Sequence, residues 1–193
     1  MAGQTTPELV AAVSNVGGLG ILGATWMTPE KLLDATRKIW MITTKPYGVN
    51  LWLGPRERKK NNDQIISSVQ QFLDQKFRKP LGLPLKSVSL PEHDTKDLPS
   101  QSKFSEQLQI ILEEKVPVAS FAMSDPVKYI DQIHSSGAKI ISMVTNVGDA
   151  VGMSKNGSDI LMAQGSEVGG HRSVLTTTII TTHFMMTMKI IFH

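Results

Sequence analysis

The stretch Asp159-Ile160-Leu161-Met162-Ala163-Gln164-Gly165-Ser166-Glu167-Val168-Gly169-Gly170-His171 decides how this chain is read. Ile160 to Ala163 form a short apolar run bounded by polar residues, the pattern of a buried strand. The polar residues that follow therefore stand just past the C-terminal end of a strand. Parallel barrels and doubly wound sheets bind their ligands there, because those loops vary freely over a packed scaffold. Gly165, Gly169 and Gly170 let the backbone come close to a ligand. Gln164 offers an amide donor and an acceptor, and an imidazole such as that of His171 exchanges a proton near neutral pH. Spacing alone leaves a second reading open, because Gly-Gly-His also occurs in ordinary surface turns.

Working back from this segment, the chain repeats one pattern. Lys139 to Val144 reads as a strand, Asn146 starts a helix to about Lys155, and Asn156-Gly157 turns into the strand at Asp159. Before it, Val116 to Met123 reads as a strand, and Asp125-Pro126 starts a helix that Gly137 ends. From Val116 onward the strands recur at roughly 20-residue intervals, the length of a strand, a helix and two short loops. Nearer the N-terminus, Thr6-Pro7-Glu8 opens a helix that Gly17 and Gly18 end, and Gly18 to Ala24 is apolar on both faces, as a buried parallel strand is. Thr28-Pro29 opens a helix through about Trp40, and Pro46 to Trp52 reads as a strand that Asn50 interrupts near its end. A ligand contact and a cap on the following turn are equally compatible with Asn50.

From Gly54 to Gln101 the periodicity weakens. A helix is expected over Asn61 to Phe77, and Lys79 to Ser102, rich in proline, lysine and serine, reads as an exposed excursion. Phe104 to Glu114 is a helix again, with Leu108, Ile111 and Leu112 at helical spacing. Five strands result, near Leu19, Tyr47, Val116, Lys139 and Asp159, and alternation of this kind builds an α/β fold with right-handed crossovers. Both an open doubly wound sheet and a closed (β/α)8 barrel fit. Gly18, Gly20 and Gly23 match a dinucleotide fingerprint letter by letter, but they fall within a strand rather than at the opening of a helix.

Composition narrows the function classes. The 193 residues carry a formal net charge of +3, with 40% hydrophobic and 19% charged residues, as a soluble globular protein does. There is no cysteine, which excludes disulfides, thiolate nucleophiles and thiolate metal sites. No metal site is expected. The basic run Arg56 to Lys60 lacks interleaved aromatics and reads as a solvated face, so no nucleic-acid partner is expected. Neither a signal-peptide pattern nor an apolar window of about 18 residues is present, and the expectation is a cytoplasmic protein without a membrane partner.

With these elements in order, the chain resembles the nitronate monooxygenase family, formerly called 2-nitropropane dioxygenases. The resemblance rests on Met1-Ala2-Gly3 followed by Thr5-Thr6-Pro7-Glu8-Leu9-Val10, on Gly17 to Gly20, on Tyr47-Gly48-Val49-Asn50-Leu51, and on Ala163 to Arg172 with Val168 where the family usually has alanine. It implies a (β/α)8 TIM barrel of the FMN-dependent type, here incomplete, with about five or six of eight units. It implies FMN as cofactor, contacted by Met1, Ala2, Gly3, Asn50, Gln164, Gly165, Gly169 and Gly170. His171 becomes the base that removes the proton next to a nitro group or orients the nitronate, and the partners are a small nitronate and O2. The implied reaction is oxidation of alkyl nitronates to carbonyl compounds and nitrite.

Two departures from the family pattern stand beside the match. Only the tail of the first strand is present at Met1, and the phosphate-binding units that should follow Arg172 are not recognisable. Residues 1–172 are expected to form the partial FMN-binding barrel. Ser173 to His193, rich in threonine and methionine, is expected to be a tail outside the family pattern, disordered or artefactual. Two other functions are therefore kept: a flavin-dependent enoyl-thioester reductase, which shares the Gly-Gly-His motif, and an inactive truncated fragment. The oligomeric state is not legible.

Overall fold

A computed structural model describes residues 4–52, 63–85, 101–123, 125–165, 167–169, 171–173 and 190–192. The chain divides into two compact units, Met1–Gly54 with Pro99–His193, and Pro55–Leu98. The second unit occupies the stretch where the sequence periodicity weakens.

In the first unit, helices and strands alternate: α1 (Pro7–Asn15), β1 (Gly20–Gly23), α2 (Pro29–Ile42) and β2 (Tyr47–Trp52) come first. The second unit contains α3 (Asp63–Leu73), which passes into a π-helical segment at Asp74–Arg78. The first unit resumes with α4 (Gln101–Glu113), β3 (Val118–Ala122), α5 (Ile130–Ser135), β4 (Lys139–Val144), α6 (Val147–Lys155), β5 (Ile160–Ala163) and β6 (Ile190–Phe192). The capping residues read from sequence perform that task. The Thr6 and Thr28 hydroxyls accept hydrogen bonds from the backbone N–H groups of Leu9 and Lys31, and the Asn146 side chain accepts from Asp149 N–H. Each supplies an acceptor for a first-turn N–H that the helix itself cannot satisfy.

The strands lie in one sheet in the order β1-β2-β3-β4-β5-β6. The first five are parallel, and β6 closes the row antiparallel to β5, with Leu161 opposite Ile191. A doubly wound sheet would reverse its order at a switch point. This order does not reverse, so the crossovers all turn the same way and the five parallel strands are consecutive strands of a (β/α)8 barrel.

Register assigns the faces of the sheet. Leu22, Val49, Ala119 and Ile140 align across β1 to β4 and are almost fully buried. They join Leu51 and Phe121 in a core with Leu32 and Ile39 of α2, Phe104, Leu108 and Ile111 of α4, and Ile130 and Ile133 of α5. This is the helix-covered face. The alternate positions, including Ile21, Gly48, Asn50, Trp52, Ser120 and Met143, point to the opposite face, which corresponds to the inside of a barrel.

Helix α1 packs closely on β1. A Cβ on Gly20 would overlap the Val10 carbonyl, so only glycine lets the two backbones meet there. At the N-terminal end of β4 and β5, Asp159 accepts hydrogen bonds from Lys139 Nζ at 2.8 Å and from the Ile140 N–H at 2.8 Å, and its other neighbour is the His134 ring at 2.9 Å. Burial pushes the Asp159 carboxyl up, but the hydrogen bonds from Lys139, Ile140 and His134 outweigh it and hold the group below its ordinary value.

Candidate functional site

Polar side chains stand at the C-terminal end of the sheet, at Asn50 on β2, Ser120 on β3 and Gln164 just past β5. Asn50, on β2, is partly buried and points away from the helices. Its Nδ2 donates to the Ser120 carbonyl at 3.3 Å and to Ser120 Oγ at 3.1 Å on the adjacent strand β3. The turn that Asn50 could cap, after Trp52, lies outside the described residues. Ser120 aligns with Asn50 in register and is fully buried. The pair uses the amide N–H groups of Asn50, whose side-chain oxygen is an acceptor.

Beyond β5, Gln164 extends the ladder by one bond, with its N–H donating to the Val144 carbonyl at 2.8 Å. Its side chain then turns the loop back: Gln164 Oε1 accepts from the Ser173 N–H at 2.7 Å, and Ser173 Oγ accepts from the Met123 N–H at 2.6 Å. Ser173 is buried, and Met123 sits at φ 56°, a left-handed conformation that a non-glycine residue adopts only when its surroundings impose it. One serine thus ties the end of β3 to the loop after β5. Gln164 Nε2 faces the Met143 sulfur at 3.8 Å, a weak acceptor that leaves the amide able to serve a better one. Gly165 is buried, and a Cβ there would overlap the Glu167 carboxylate, so the glycine allows that carboxylate to fold against the loop.

His171 lies exposed near the end of this loop. Its ring centroid is 5.7 Å from that of Trp52, at 52° between planes. Trp52 in turn receives Trp26 edge-on, at 6.2 Å and 86°. Trp26 stands in the turn between β1 and α2, whose carbonyls at Ala24 and Met27 both accept from the buried Gln107 amide, at 2.9 and 2.8 Å. The Gly23 N–H donates to Thr5 Oγ1 at 2.8 Å, which brings the start of α1 to the same end of the sheet.

Of the residues singled out in the sequence, Asn50, Gln164, Gly165, Gly169 and His171 are described, and all stand at or just beyond the C-terminal strand ends. Met1, Ala2, Gly3 and Gly170 lie outside the described residues. Sequence reasoning missed Ser120, Trp52, Trp26 and Ser173. Two of them carried a usable signal: Trp52 is two positions after Asn50 on one strand and so shares its face, and Ser120 is the polar residue inside the apolar run of β3. Among the described residues no group of three or more His, Asp or Glu side chains could hold a metal ion, and no helix is long and apolar enough to cross a membrane.

The comparisons with known proteins agree with this geometry. The family model described as nitronate monooxygenase matches residues 1–191. A probable nitronate monooxygenase of Staphylococcus haemolyticus is 37% identical over 179 residues, covering 92% of this chain and 47% of the relative. A second, from Staphylococcus aureus, is 34% identical over 173 residues, covering 89% and 46%. The chain thus spans about half the length of the curated relatives it matches. Among solved structures, nitroalkane oxidase from Streptomyces ansochromogenes aligns at TM-score 0.72 with 25% identity, over 93% of this chain and 48% of that one. FabK from Thermotoga maritima aligns at TM-score 0.61 with 29% identity, over 93% and 43%. A family match over nearly the whole sequence, joined to a barrel-type sheet with its polar groups at the strand C-termini, places this chain in the nitronate monooxygenase family.

Proposed function

We propose that this chain forms part of an FMN-dependent enzyme that oxidises alkyl nitronates with O2 to carbonyl compounds and nitrite, acting in the cytoplasm. The observation that carries the reading is that Asn50 on β2 and Gln164 and His171 after β5 stand at the same, C-terminal, end of one parallel sheet. In this reading residues 1–172 supply the barrel and 173–193 a tail, whose first residue, Ser173, anchors the loop.

The donor set suits a flavin ring. An isoalloxazine needs one flat apolar surface and a rim of mixed donors and acceptors, and the Asn50 carbonyl and the Gln164 amide offer one of each. Gly169 and the backbone of the adjoining loop, with Met1 to Gly3 and Gly170 at their sequence positions, would complete the contacts. Bound FMN would supply the electron transfer that no protein side chain provides. His171 takes the proton from the carbon next to the nitro group, or holds the nitronate oxygens in place, and it is exposed enough to meet a substrate arriving from solvent. The Asn50–Ser120 pair fixes the rim group before ligand arrives, so no side-chain freedom is lost on binding.

The test is direct. Purified chain mixed with FMN should turn yellow and stay so after desalting, and oxygen uptake should follow addition of a nitronate. His171→Asn should lower turnover by about 10²- to 10⁴-fold, the usual contribution of a positioned proton acceptor. A colourless protein that FMN does not alter would sink the reading. The flavin-dependent enoyl-thioester reductase is the second reading, supported by the shared Gly-Gly-His motif. Turnover that requires NADH would favour it.

A further inference from the structure

The loop that carries His171 is fastened at its two ends. Gln164 N–H to Val144 O holds one end, and Ser173, bonded to both Gln164 Oε1 and Met123 N–H, holds the other. Glu167, Gly169, His171 and Arg172 are exposed between those anchors. Among the described residues these bonds fix where the loop begins and ends.

The group in ring contact with His171 is the Trp52 indole, 5.7 Å away and tilted by 52°. Trp52 is well suited to impose an orientation. It sits at the last position of β2, on the face of Asn50, and its own ring is backed edge-on by Trp26. Its side chain has only two χ angles, so an indole packed edge-on by a neighbour presents a broad, defined surface to the loop. We propose that Trp52 is a positioning residue: its indole selects the orientation of the His171 ring and so couples the strand bearing Asn50 to the proton-accepting group.

The proposal rests on the reading of His171 given above, and its test separates the two. The 193-residue chain with FMN is prepared as wild type, Trp52→Leu, Trp52→Phe, His171→Asn, and the double variant Trp52→Leu/His171→Asn. Turnover of the nitronate of 1-nitropropane is measured, and the His171 ring protons are followed by NMR without substrate, assigned from the signals that His171→Asn removes. Trp52→Leu should move the His171 ring signals, through loss of the indole ring current. It should also lower kcat by about 10- to 100-fold with KM little changed, as misplacement of a catalytic group does. Trp52→Phe, which keeps an aromatic ring, should recover part of the rate and part of the signal position.

In the His171→Asn background, Trp52→Leu should cost nothing further, because a residue acting only through His171 has nothing left to act on. Equal losses in both backgrounds would overturn the proposal and make Trp52 an independent wall of the pocket. Ring signals unmoved by Trp52→Leu, or by Trp52→Phe should the leucine variant not fold, would also overturn it. A fully active His171→Asn protein whose wild-type ring signals still depend on Trp52 would refute the base reading while leaving the contact in place.

Discussion

Single residues at this site act across long stretches of sequence. Ser173 receives the Met123 N–H from 50 positions away, and it does so while buried. Ser173→Ala should therefore leave a donor without its acceptor and lower stability by about 1–3 kcal/mol, measured by urea unfolding. The same variant should weaken FMN retention on desalting, because the loop after β5 loses one anchor. Asn50 was legible as unusual because it breaks an apolar strand, yet its cross-strand partner was not, since strand register is absent from a one-dimensional pattern. Trp52 could have been read from the period of two. Ser173 could not, because nothing local distinguishes a serine that ties two loops together from one facing solvent.

At the scale of elements, the sequence was most informative where a cap or an apolar period acts locally. Thr6, Thr28 and Asn146 mark helix starts through bonds spanning three residues, and all three were readable. Starts without such a cap were read less well: the expected helix from Asp125 opens as a single 3-10 turn at Val127–Tyr129. Two electrostatic clamps at this scale yield predictions. Lys38 on α2 and the first-turn N–H and Thr6 hydroxyl of α1 hold the Glu8 carboxyl down at about 2, from an ordinary value of 4.5. A folded value below the unfolded one stabilises above the unfolded value and is lost as pH falls. The contribution of Glu8 should thus vanish between pH 4.5 and about 2, and a carbon-13 titration of its carboxyl should show the low midpoint. Asp159 is also lowered, so its clamp on β4 and β5 should likewise fail in acid. At neutral pH, Asp159→Asn should cost about 1.5–3 kcal/mol in a thermal or urea melt. Turnover at 25 °C should be unchanged, because the residue is at the strand end opposite the candidate site.

At the largest scale, the first unit is built on one sheet whose β5 edge is occupied. The antiparallel strand β6 takes the hydrogen-bonding row of β5 over residues 160–162. An uncovered strand edge invites pairing with other chains. Ile191→Pro removes a donor from β6 and should release that edge, raising self-association in sedimentation velocity relative to wild type. The α/β alternation was legible from the recurrence of strands and helices. The choice between barrel and doubly wound sheet was not, because the two differ in spatial order alone. That order has a further consequence, for the way the chain is made. Every parallel strand pairs with the strand next in synthesis, so a nascent chain leaving the ribosome can add each β/α unit to the one before it. The longest wait falls between β2, which ends at Trp52, and β3, which starts at Val118, because the whole second unit is made between them.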